Sequence, residues 1–261
     1  DLLKNLNRLN NIKFDYVFHF AAIVGVANVL NNPYKTLKNN ILITYKMLDF
    51  LKDKKIKKFC FTSSSEVYSQ TLKKEKKKIP TPENIDLLIE KDFNERSSYY
   101  VSKVISELAI KFSHLPFVVF RPHNIFGPRM GSSHVIPELI KKIRLLKNNQ
   151  QLIVKSPNHS RSFCYIDDAI KLIHQITHQK KTNNKIFNIG SQVNEIKILK
   201  LSKLIAKMMN KKLNFKKGTN QLGSPFRRVP LMSKTKKFVK IKQTRLKVGL
   251  SKTVDWYLKN E

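Results

Sequence analysis

Two tyrosines in the sequence are each followed, four residues later, by a lysine: Tyr34 by Lys38 and Tyr99 by Lys103. Residues four apart on a helix share a face, so the ammonium group can stabilise the phenolate and lower the pKa of the phenol. A phenol tuned in this way can act as a general base. Because the chain holds 42 lysines, such pairs also arise by chance, and the surrounding sequence must distinguish them.

The second pair is preceded by a cluster of serines. Tyr99 and Lys103 lie in SSYYVSK at the predicted start of a helix, and the preceding strand ends in TSSSEVY at residues 62–68. Hydroxyls at the carboxyl end of a parallel strand face the cleft, where one can bind the oxygen that Tyr99 deprotonates. Such a Ser, Tyr and Lys set can remove a hydroxyl proton while a hydride leaves the same carbon. The pattern also allows residues 63–65 to be a helix cap or turn, and Tyr99 to be a half-buried helix aromatic.

Short apolar runs alternate with segments of helical periodicity through the first two thirds of the chain. Strands are predicted over residues 14–20, 58–62, 117–121 and 185–189, and helices over residues 40–51 and 98–112. Continuously apolar strands joined by helices are typical of a parallel sheet that is covered on both faces. The sequence therefore predicts an α/β fold with a doubly wound parallel sheet.

The remaining segments are less regular. Residues 72–95 are highly charged and contain two prolines. We therefore expect a surface excursion there, that is, a segment that leaves the core and lies on the surface. Further helices are predicted at residues 136–146, 166–177, 198–209 and 251–258, and a strand at residues 152–154. We expect a first domain of residues 1–128 with 161–190, and a small C-terminal lobe of residues 129–160 with 191–261. The cleft between them would lie at the carboxyl ends of the strands, where open α/β sheets bind ligands.

The composition limits the classes of protein that fit. The 261 residues include 51 Lys plus Arg and 18 Asp plus Glu, a formal charge of +33, and 41% of them are hydrophobic, which suffices for a large core. Abundant Lys, Asn and Ile are also what nucleotide bias in a genome produces, so a solvated lysine surface is favoured over a nucleic-acid interface. Cys60 and Cys164 have no CxxC or Cys/His partner nearby, so we expect no metal site.

Targeting features also limit the location. The most apolar stretch, residues 14–30, is interrupted by Asp15, His19 and Asn28 and is too short to span a bilayer. No charged-then-apolar leader opens the chain, and two isolated cysteines favour a reducing compartment. We therefore expect a cytoplasmic protein that does not enter a membrane. The chain starts with Asp1 rather than Met, so we expect a fragment of a longer protein.

Seven sequence blocks carry a resemblance to a known family. In chain order they are HFAA (19–22), NPYKTLKNN (32–40), TSSSEVY (62–68), YYVSK (99–103), RPHNIFGP (121–128), RSFCYIDDA (161–169) and FNIG (187–190). Their order and approximate spacing resemble those of the extended short-chain dehydrogenase/reductases. More narrowly, they resemble the NAD-dependent nucleotide-sugar epimerase/dehydratase family typified by UDP-glucose 4-epimerase. The match covers nearly the whole chain, and seven ordered blocks make it specific.

The resemblance implies roles for individual residues around the reacting carbon. Ser64 would hold the sugar hydroxyl, Tyr99 would act as the base, and Lys103 would bind the nicotinamide ribose and tune Tyr99. Three further residues would line or support the NAD site: Ala21, Ala22 and Asn40.

The resemblance also implies a substrate and an assembly. Asn124, Arg161 and Arg228 resemble the positions that grip a nucleotide diphosphate, a task that suits amide donors and guanidinium forks. The expected partners are therefore a nucleotide-diphosphate sugar and a second copy of the chain in a homodimer, without a membrane or a nucleic acid.

One feature of the resembled family is missing. The family opens with a glycine-rich strand-to-helix turn whose backbone amides approach the cofactor pyrophosphate. None of the seven glycines forms GxGxxG or a relative of it. We therefore expect a Rossmann-type sheet that lacks its first βαβ portion, and only half of an NAD site in these 261 residues.

The reactions of the resembled family begin with oxidation of a sugar hydroxyl by NAD, and neighbouring acid/base residues decide the fate of the keto sugar. An Asp-Glu pair serves the 4,6-dehydratases, and Ser65-Glu66 stands at that position here. We rank first an epimerase that acts through a transient 4-keto sugar, because epimerisation needs no further residue. A decarboxylase or 4,6-dehydratase that uses Glu66 comes next. A hypothesis of another class is an RNA-binding protein that uses the basic runs at residues 73–78 and 234–242.

Overall fold

The computed structural model describes residues 2–4, 6–75, 78–221 and 225–260 of the chain. Its strands are β1 Tyr16–His19, β2 Lys58–Thr62, β3 Phe117–Pro122, β4 Ile125–Phe126, β5 Gln151–Val154, β6 Ser160–Ser162, β7 Cys164–Tyr165, β8 Lys185–Ile189, β9 Glu195–Lys197, β10 Asn214–Lys217 and β11 Arg227–Arg228. Its α-helices are α1 Val26–Asn31, α2 Pro33–Leu51, α3 Ser69–Lys74, α4 Ser97–Phe112, α5 Val135–Leu145, α6 Ile166–Thr177, α7 Ile198–Met208, α8 Ser233–Phe238 and α9 Leu246–Asn260. Short 3-10 turns lie at Asn7–Leu9, Ser65–Tyr68 and Lys180–Thr182.

A four-stranded parallel sheet in the order β1-β2-β3-β8 forms the centre of the fold. Residues 59–61 of β2 and 118–120 of β3 are all buried. Both faces of these strands are covered, which is why their sequences are continuously apolar rather than alternating. The predicted parallel sheet is confirmed.

Side chains of the central strands alternate between the two faces of the sheet and so contribute to two cores. Phe59, Phe61 and Val119 pack with helices α2 and α4 on one face. Cys60 and Val118 point to the other face, where they pack with α6 and with apolar residues that flank α8. Helices therefore cover both faces, as the doubly wound prediction requires.

A third core fills the lobe beyond the sheet. It is formed by side chains of α5, α7 and α9 together with β5: Ile136, Ile140, Ile143, Leu152, Leu201, Ile205, Leu250 and Val254. Short strand pairs surround it, with β5 beside β10 and with β6 between β9 and β11. The small C-terminal lobe thus has an apolar core of its own.

The packing crosses the predicted domain division in both directions. Phe126 belongs to the predicted first domain but packs in the lobe core, because β4 pairs with β7 where the chain leaves the sheet. Met232 and Val239 belong to the predicted lobe but pack against the sheet. Gly190, directly after β8, lets the segment around Pro230 pack close to the sheet, because a Cβ at residue 190 would lie 2.7 Å from the Pro230 ring.

The predicted surface excursion at residues 72–95 is partly buried. Leu72 packs against Tyr68, and Thr81 is fully buried. The Thr81 amide donates to the Val229 carbonyl at 2.8 Å, and the Leu231 amide donates to the Thr81 carbonyl at 2.8 Å. Both hydrogen bonds join backbone atoms, and backbone atoms can form them whatever the side chains are. The charged side chains of this segment therefore gave no indication of its partial burial.

One buried ion pair attaches helix α4 to the sheet. Arg121 on β3 donates from Nε to Glu107 Oε1 at 2.9 Å and from Nη2 to Glu107 Oε2 at 2.6 Å. Its Nη1 donates to the Tyr68 hydroxyl at 2.9 Å and to the Glu83 carbonyl at 3.1 Å. The side chains of Arg121 and Glu107 are only 3% and 8% exposed. A single planar guanidinium therefore connects β3, α4, the turn after β2 and the excursion.

We expect Arg121→Met to lower the free energy of unfolding by about 3–5 kcal/mol, because it leaves the Glu107 carboxylate buried without its cation. Urea unfolding would measure the change. The matched control is Arg227→Met, which removes a bidentate pair with Glu195 of 2.7 and 2.8 Å on the exposed rim. That variant should lose less than about 1 kcal/mol. Equal losses in the two variants would contradict the importance of the buried pair.

Candidate active site

Two cavities lie at the carboxyl ends of the central strands. The inner cavity has a volume of about 320 Å³, and its lining includes Ser64, Glu66, Tyr99, Asn124 and Arg228. The outer cavity, of about 180 Å³, shares Glu66, Asn124 and Arg228 with it. A larger groove of about 910 Å³ lies beside β8, and the described residues that line it include none of the predicted site residues. The inner and outer cavities occupy the place where open α/β sheets bind ligands.

Ser64, Tyr99 and Lys103 come together from the end of β2 and from α4. Ser64 caps the turn after β2, where its Oγ accepts the backbone N–H of Glu66 at 3.1 Å. The same hydroxyl is hydrogen-bonded to the Tyr99 phenol. Lys103, one helical turn after Tyr99, donates from Nζ to the Thr62 carbonyl at 2.8 Å. Ser64 therefore serves as a cap and also faces the phenol, so the two interpretations of the serine cluster do not exclude each other.

Burial dominates the protonation of the phenol and of the ammonium. Burial raises the pKa of Tyr99 to about 12, the Ser64 hydrogen bond opposes this rise, and the Glu66 carboxylate adds to it. Burial lowers the pKa of Lys103 to about 8, against the raising effect of Glu107. The sequence predicted that Lys103 would lower the pKa of Tyr99, and the structure differs. Burial is the largest influence on the pKa of Tyr99, and the Lys103 Nζ lies 5.9 Å from the centre of the Tyr99 ring.

The other Tyr and Lys pair lies on the surface. Helix α2 begins at Pro33 rather than at residue 40, and a proline is favourable at the first helical position. Tyr34 therefore sits in the first turn of α2, where it is 74% exposed. The Lys38 Nζ lies 5.7 Å from the centre of its ring. Of the two pairs, only Tyr99 and Lys103 lie next to the serine cluster.

Two arginines hold the carboxylate of Glu66. Its Oε1 accepts from Arg228 Nη1 at 2.9 Å and lies 3.7 Å from Arg96 Nη2, while its Oε2 accepts from Ser69 Oγ at 3.1 Å. Burial would raise the pKa of Glu66, but the charges of Arg228 and Arg96, together with the hydrogen bonds from Arg228 and Ser69, lower the pKa to about 2. Glu66 is therefore ionised at neutral pH, and it is a weak base.

The three residues expected at the diphosphate all line the outer cavity. Asn124 adopts a φ of 43°, in the left-handed region that Asn tolerates better than most residues, and its Nδ2 donates to the Ser162 carbonyl at 3.2 Å. Burial lowers the pKa of Arg161 to about 9, and the charges of Arg228 and Arg96 act in the same direction. The outer cavity is therefore strongly cationic.

Arg96 is a site residue that the sequence motifs did not identify. It directly precedes α4, three residues before Tyr99, and it lines both cavities. Residues three apart on a helix project from the same face, and this spacing could have placed Arg96 beside the phenol. The many lysines of the chain concealed it among other basic residues.

Of the residues expected at NAD, Tyr99 lines the inner cavity, whereas Ala21, Ala22, Asn40 and Lys103 are not part of its lining. Ala21 is exposed and Ala22 is half-buried, directly after β1. Asn40 on α2 accepts the Ile23 N–H at 2.7 Å and donates to the Ile23 carbonyl at 3.1 Å, which fixes this loop. The expected roles of Ala21, Ala22 and Lys103 at the nicotinamide-ribose half of NAD stay predictions. The described residues contain no glycine-rich turn for the pyrophosphate.

The first of the two lysine runs of the RNA-binding hypothesis, residues 73–78, is partly engaged in ion pairs. Lys73 pairs with Glu90 at 3.2 Å, and Lys78 pairs with Glu75 at 3.7 Å. Lys76 and Lys77 of that run lie outside the described residues.

Within the ranges that the structure describes, no helix combines the length and the apolar character that crossing a bilayer requires.

Comparison with known protein families shows which family the chain belongs to. Residues 3–190 match the pattern of the NAD-dependent epimerase/dehydratase family. The chain belongs to this family. The match contains the segments that carry Ser64, Tyr99, Lys103 and Arg161, and it confirms the resemblance of the seven sequence blocks.

Relatives of the chain within this family are named after different reactions. The dTDP-D-glucose 4,6-dehydratase of Dictyostelium discoideum is 32% identical over 216 residues, which are 78% of this chain and 47% of that protein. The UDP-N-acetyl-alpha-D-glucosaminuronate decarboxylase of Bacillus cytotoxicus is 32% identical over 185 residues, 68% of this chain and 54% of that protein. The chain thus spans about half the length of these curated relatives.

A solved structure of a UDP-glucuronic acid 4-epimerase from Bacillus cereus, in complex with UDP-glucuronic acid and NAD, has the same fold. The TM-score is 0.79 at 25% identity, and the similarity covers 100% of this chain and 81% of that one. The Rossmann-type architecture predicted from the sequence is therefore confirmed.

The low pKa of Glu66 predicts a contribution to stability that acid removes. A carboxylate whose pKa falls on folding stabilises the folded state above its ordinary value of 4.5, and this stabilisation is lost as the pH falls toward about 2. We expect the Tm difference between the wild type and Glu66→Gln to be greatest above pH ~5 and to shrink steadily below it. Scanning calorimetry at several pH values would measure it.

The control for that experiment is Asp15→Asn, which removes an exposed carboxylate 3.1 Å from Lys57. Its Tm difference should stay near zero throughout. A Glu66→Gln difference that did not change with pH would contradict the ion pairing described for Glu66.

Proposed function

We propose that the chain is part of an NAD-dependent nucleotide-sugar epimerase that acts through a transient 4-keto sugar. The observation that carries this proposal is the hydrogen bond between Ser64 and Tyr99, which both line a cavity at the carboxyl ends of the strands. Lys103 lies one helical turn after Tyr99. Membership of an NAD-dependent family supports it. The substrate would be a nucleotide-diphosphate sugar, with its diphosphate near Asn124, Arg161 and Arg228.

In this proposal the chain supplies proton transfer and orientation. Ser64 holds the sugar hydroxyl so that its proton faces the Tyr99 oxygen, and Tyr99 takes that proton. Lys103 would bind the nicotinamide ribose, and Asn40 holds the loop after β1, which would border the same half of the cofactor. NAD, when bound, would supply the hydride-accepting chemistry at the same sugar carbon. Tyr99 would return the proton to the sugar oxygen at the end of the reaction.

The environment of Glu66 favours the epimerase over the alternatives that use this residue as a base. A dehydratase must remove a proton from C5 of the sugar, and a carboxylate with a pKa of about 2 between two guanidiniums has little affinity for that proton. Ser65 stands where the dehydratases have an acid. An epimerase needs neither group.

We further propose that the chain forms a homodimer through α2 and α4. These helices pack side by side and expose a row of apolar side chains: Leu42, Tyr45, Leu108 and Phe112, which are 39–69% exposed. A contiguous apolar face on two adjacent helices marks an interaction surface, and a second copy offers the same face in reverse. We expect Leu108→Glu together with Phe112→Glu to give monomers in sedimentation velocity. A wild-type protein that is monomeric at micromolar concentration would contradict this proposal.

Substitution of Tyr99 tests the proposed function. In the full-length protein, Tyr99→Phe should reduce turnover by at least ~10²-fold while the sugar nucleotide still binds, because only the proton-transferring hydroxyl is lost. Interconversion of UDP-glucose with UDP-galactose, and of UDP-glucuronate with UDP-galacturonate, would be followed by NMR. The matched control is Tyr34→Phe, which removes the hydroxyl of the exposed pair and should change neither rate. Equal losses in the two variants, or none with Tyr99→Phe, would rule out the assignment.

The same assay on Glu66→Gln separates the reaction classes. An epimerase should keep most of its turnover. A dehydratase or decarboxylase that depends on Glu66 should instead accumulate the 4-keto sugar.

A further inference from the structure

Two histidines lie where helix α6 ends, at the opposite end of the sheet from the cavities. His174 is in the last turn of α6, and His178 directly follows the helix. The centre of the His178 ring lies 4.9 Å from the centre of the Tyr16 ring, and Tyr16 is the first residue of β1. The inner and outer cavities lie instead at the carboxyl ends of the strands. The reaction proposed above therefore gives these two histidines no task.

The helix presents the two imidazoles side by side. Residues four apart on a helix share a face, and this is the spacing with which the HExxH motif binds zinc. The His178 N–H donates to the His174 carbonyl at 3.3 Å, so the helical turn between them is intact. The centres of the two rings are 4.3 Å apart.

This separation suits a shared metal ion. Two nitrogens that bind one zinc ion lie within about 4 Å of each other, because each Zn–N bond is about 2.0–2.1 Å long. Rotation about the side-chain bonds of His174 and His178 can therefore direct one nitrogen of each ring at the same ion. Both side chains are exposed, so an ion can reach them from solvent.

A backbone contact determines which nitrogen of His178 is available. Its Nδ1 lies 2.8 Å from the His174 carbonyl oxygen. A carbonyl oxygen only accepts hydrogen bonds, so Nδ1 carries the proton, and Nε2 of the neutral ring carries the lone pair. Histidines that bind metals characteristically donate their other ring N–H in this way, which orients the ring. The hydrogen bond thus leaves His178 Nε2 ready to act as a ligand.

The end of α6 is already partly occupied by a cation. The carboxyl end of a helix carries partial negative charge, which favours a positive group. From inside the fold, the Lys58 Nζ takes the Thr177 and Gln179 carbonyls at 2.8 Å each. The exposed imidazoles, rather than these carbonyls, are therefore the groups that a second cation can use.

We propose that His174 and His178 form a binding site for a divalent transition-metal ion such as Zn²⁺ or Cu²⁺. Imidazole nitrogen suits these ions, whereas Mg²⁺ and Ca²⁺ prefer oxygen ligands. Because both rings stand on one helical turn, binding by the first makes binding by the second intramolecular. Three lysines stand within seven residues of His174 and repel cations: Lys171, Lys180 and Lys181. The affinity therefore depends on the two metal–nitrogen bonds and not on attraction at a distance.

The ion would have two protein ligands. Across the ranges that the structure describes, no group of three or more His, Cys, Asp or Glu side chains is arranged to share an ion. Water would complete the coordination shell, so the site would be open to solvent. Neither Cys60 nor Cys164, on which the expectation of no metal site was based, takes part. The inference goes beyond the proposed function, because an ion at this end of the sheet would not contact the substrate.

Calorimetric titration of the full-length protein with ZnCl₂ and with CuCl₂ tests the inference. We expect the wild type to bind one equivalent of each ion that His174→Gln and His178→Gln each bind at least ~10-fold more weakly. Loss of an outer partner of a metal ligand already costs ~10–100-fold in metal affinity, and loss of a ligand costs no less. Cu²⁺ should bind more tightly than Zn²⁺, and MgCl₂ at the same concentration should displace neither ion.

The control is His114→Asn, which removes a single exposed imidazole and suits the φ of 60° at that turn. It should leave both affinities within about twofold. Thermal unfolding without metal checks that the Gln variants fold. Zn²⁺ at about 100 times its Kd for the wild type should raise the wild-type Tm, and it should raise the Tm of either Gln variant less.

The EPR spectrum of the bound Cu²⁺ gives an independent count of ligands. Nitrogen superhyperfine splitting should indicate two imidazoles in the wild type and one in His174→Gln or His178→Gln. Binding of Zn²⁺ that is unchanged in both Gln variants would overturn the inference. So would a wild type that binds neither ion, or an equal loss in His114→Asn. None of these results depends on turnover, so failure of this inference is distinct from failure of the Tyr99 assignment.

Discussion

The guanidinium of Arg121 is the constraint on which the rest of the site depends. A cation in the interior must be paired, and here its pairing is divided between Glu107 on α4 and Tyr68 in the turn after β2. Glu107 lies one turn after Lys103, and Tyr68 lies four residues after Ser64. The two elements that must meet for Ser64 to face Tyr99 are thus held to the same planar group. Rotation of α4 would break two short hydrogen bonds before it moved the phenol.

The lysines and the arginines of this chain differ in where they lie and in how they form hydrogen bonds. Most of the 42 lysines lie on the surface, in agreement with a composition set by genome bias. Lys58 is an exception: its buried Nζ donates at 2.8 Å to the Thr177 and Gln179 carbonyls and to Thr182, and it ties the end of α6 to β2. Of the nine arginines, Arg121 is a structural clamp, and three others converge on the two cavities. Arg121 and Arg227 each hold a carboxylate with two nitrogens of the planar guanidinium, a geometry that the ammonium of a lysine cannot supply.

The fold could be predicted where buried segments appear in the sequence as continuous apolar runs or as a regular helical pattern of apolar residues. The bounds of β2, β8 and α6 agree with the predicted bounds, because apolar runs or strong helical periodicity end sharply at each of them. The predicted start of α2 was wrong because residues 33–39 are mostly polar. The local motifs predicted the clustering of Ser64, Tyr99 and Lys103. They could not predict the contact of Glu66 with Arg228 or the partial burial of the excursion, since these depend on tertiary pairing of distant segments. The roles given to the site residues remain predictions.

The distance along the chain between Glu66 and Arg228 has a consequence for biosynthesis. The two residues are 162 positions apart, and a ribosome that adds about 5–20 residues per second needs roughly 8–30 s to reach the second after the first. The strands β1 to β3 and the helices between them emerge well before that time. During this interval the nascent chain carries Glu66 and Arg96 without the closer of the two cations. The ligand cavities are therefore completed only when the last quarter of the polypeptide returns to the sheet, so a ribosome that stalls after β8 would release a chain with an assembled sheet and an unfinished binding site.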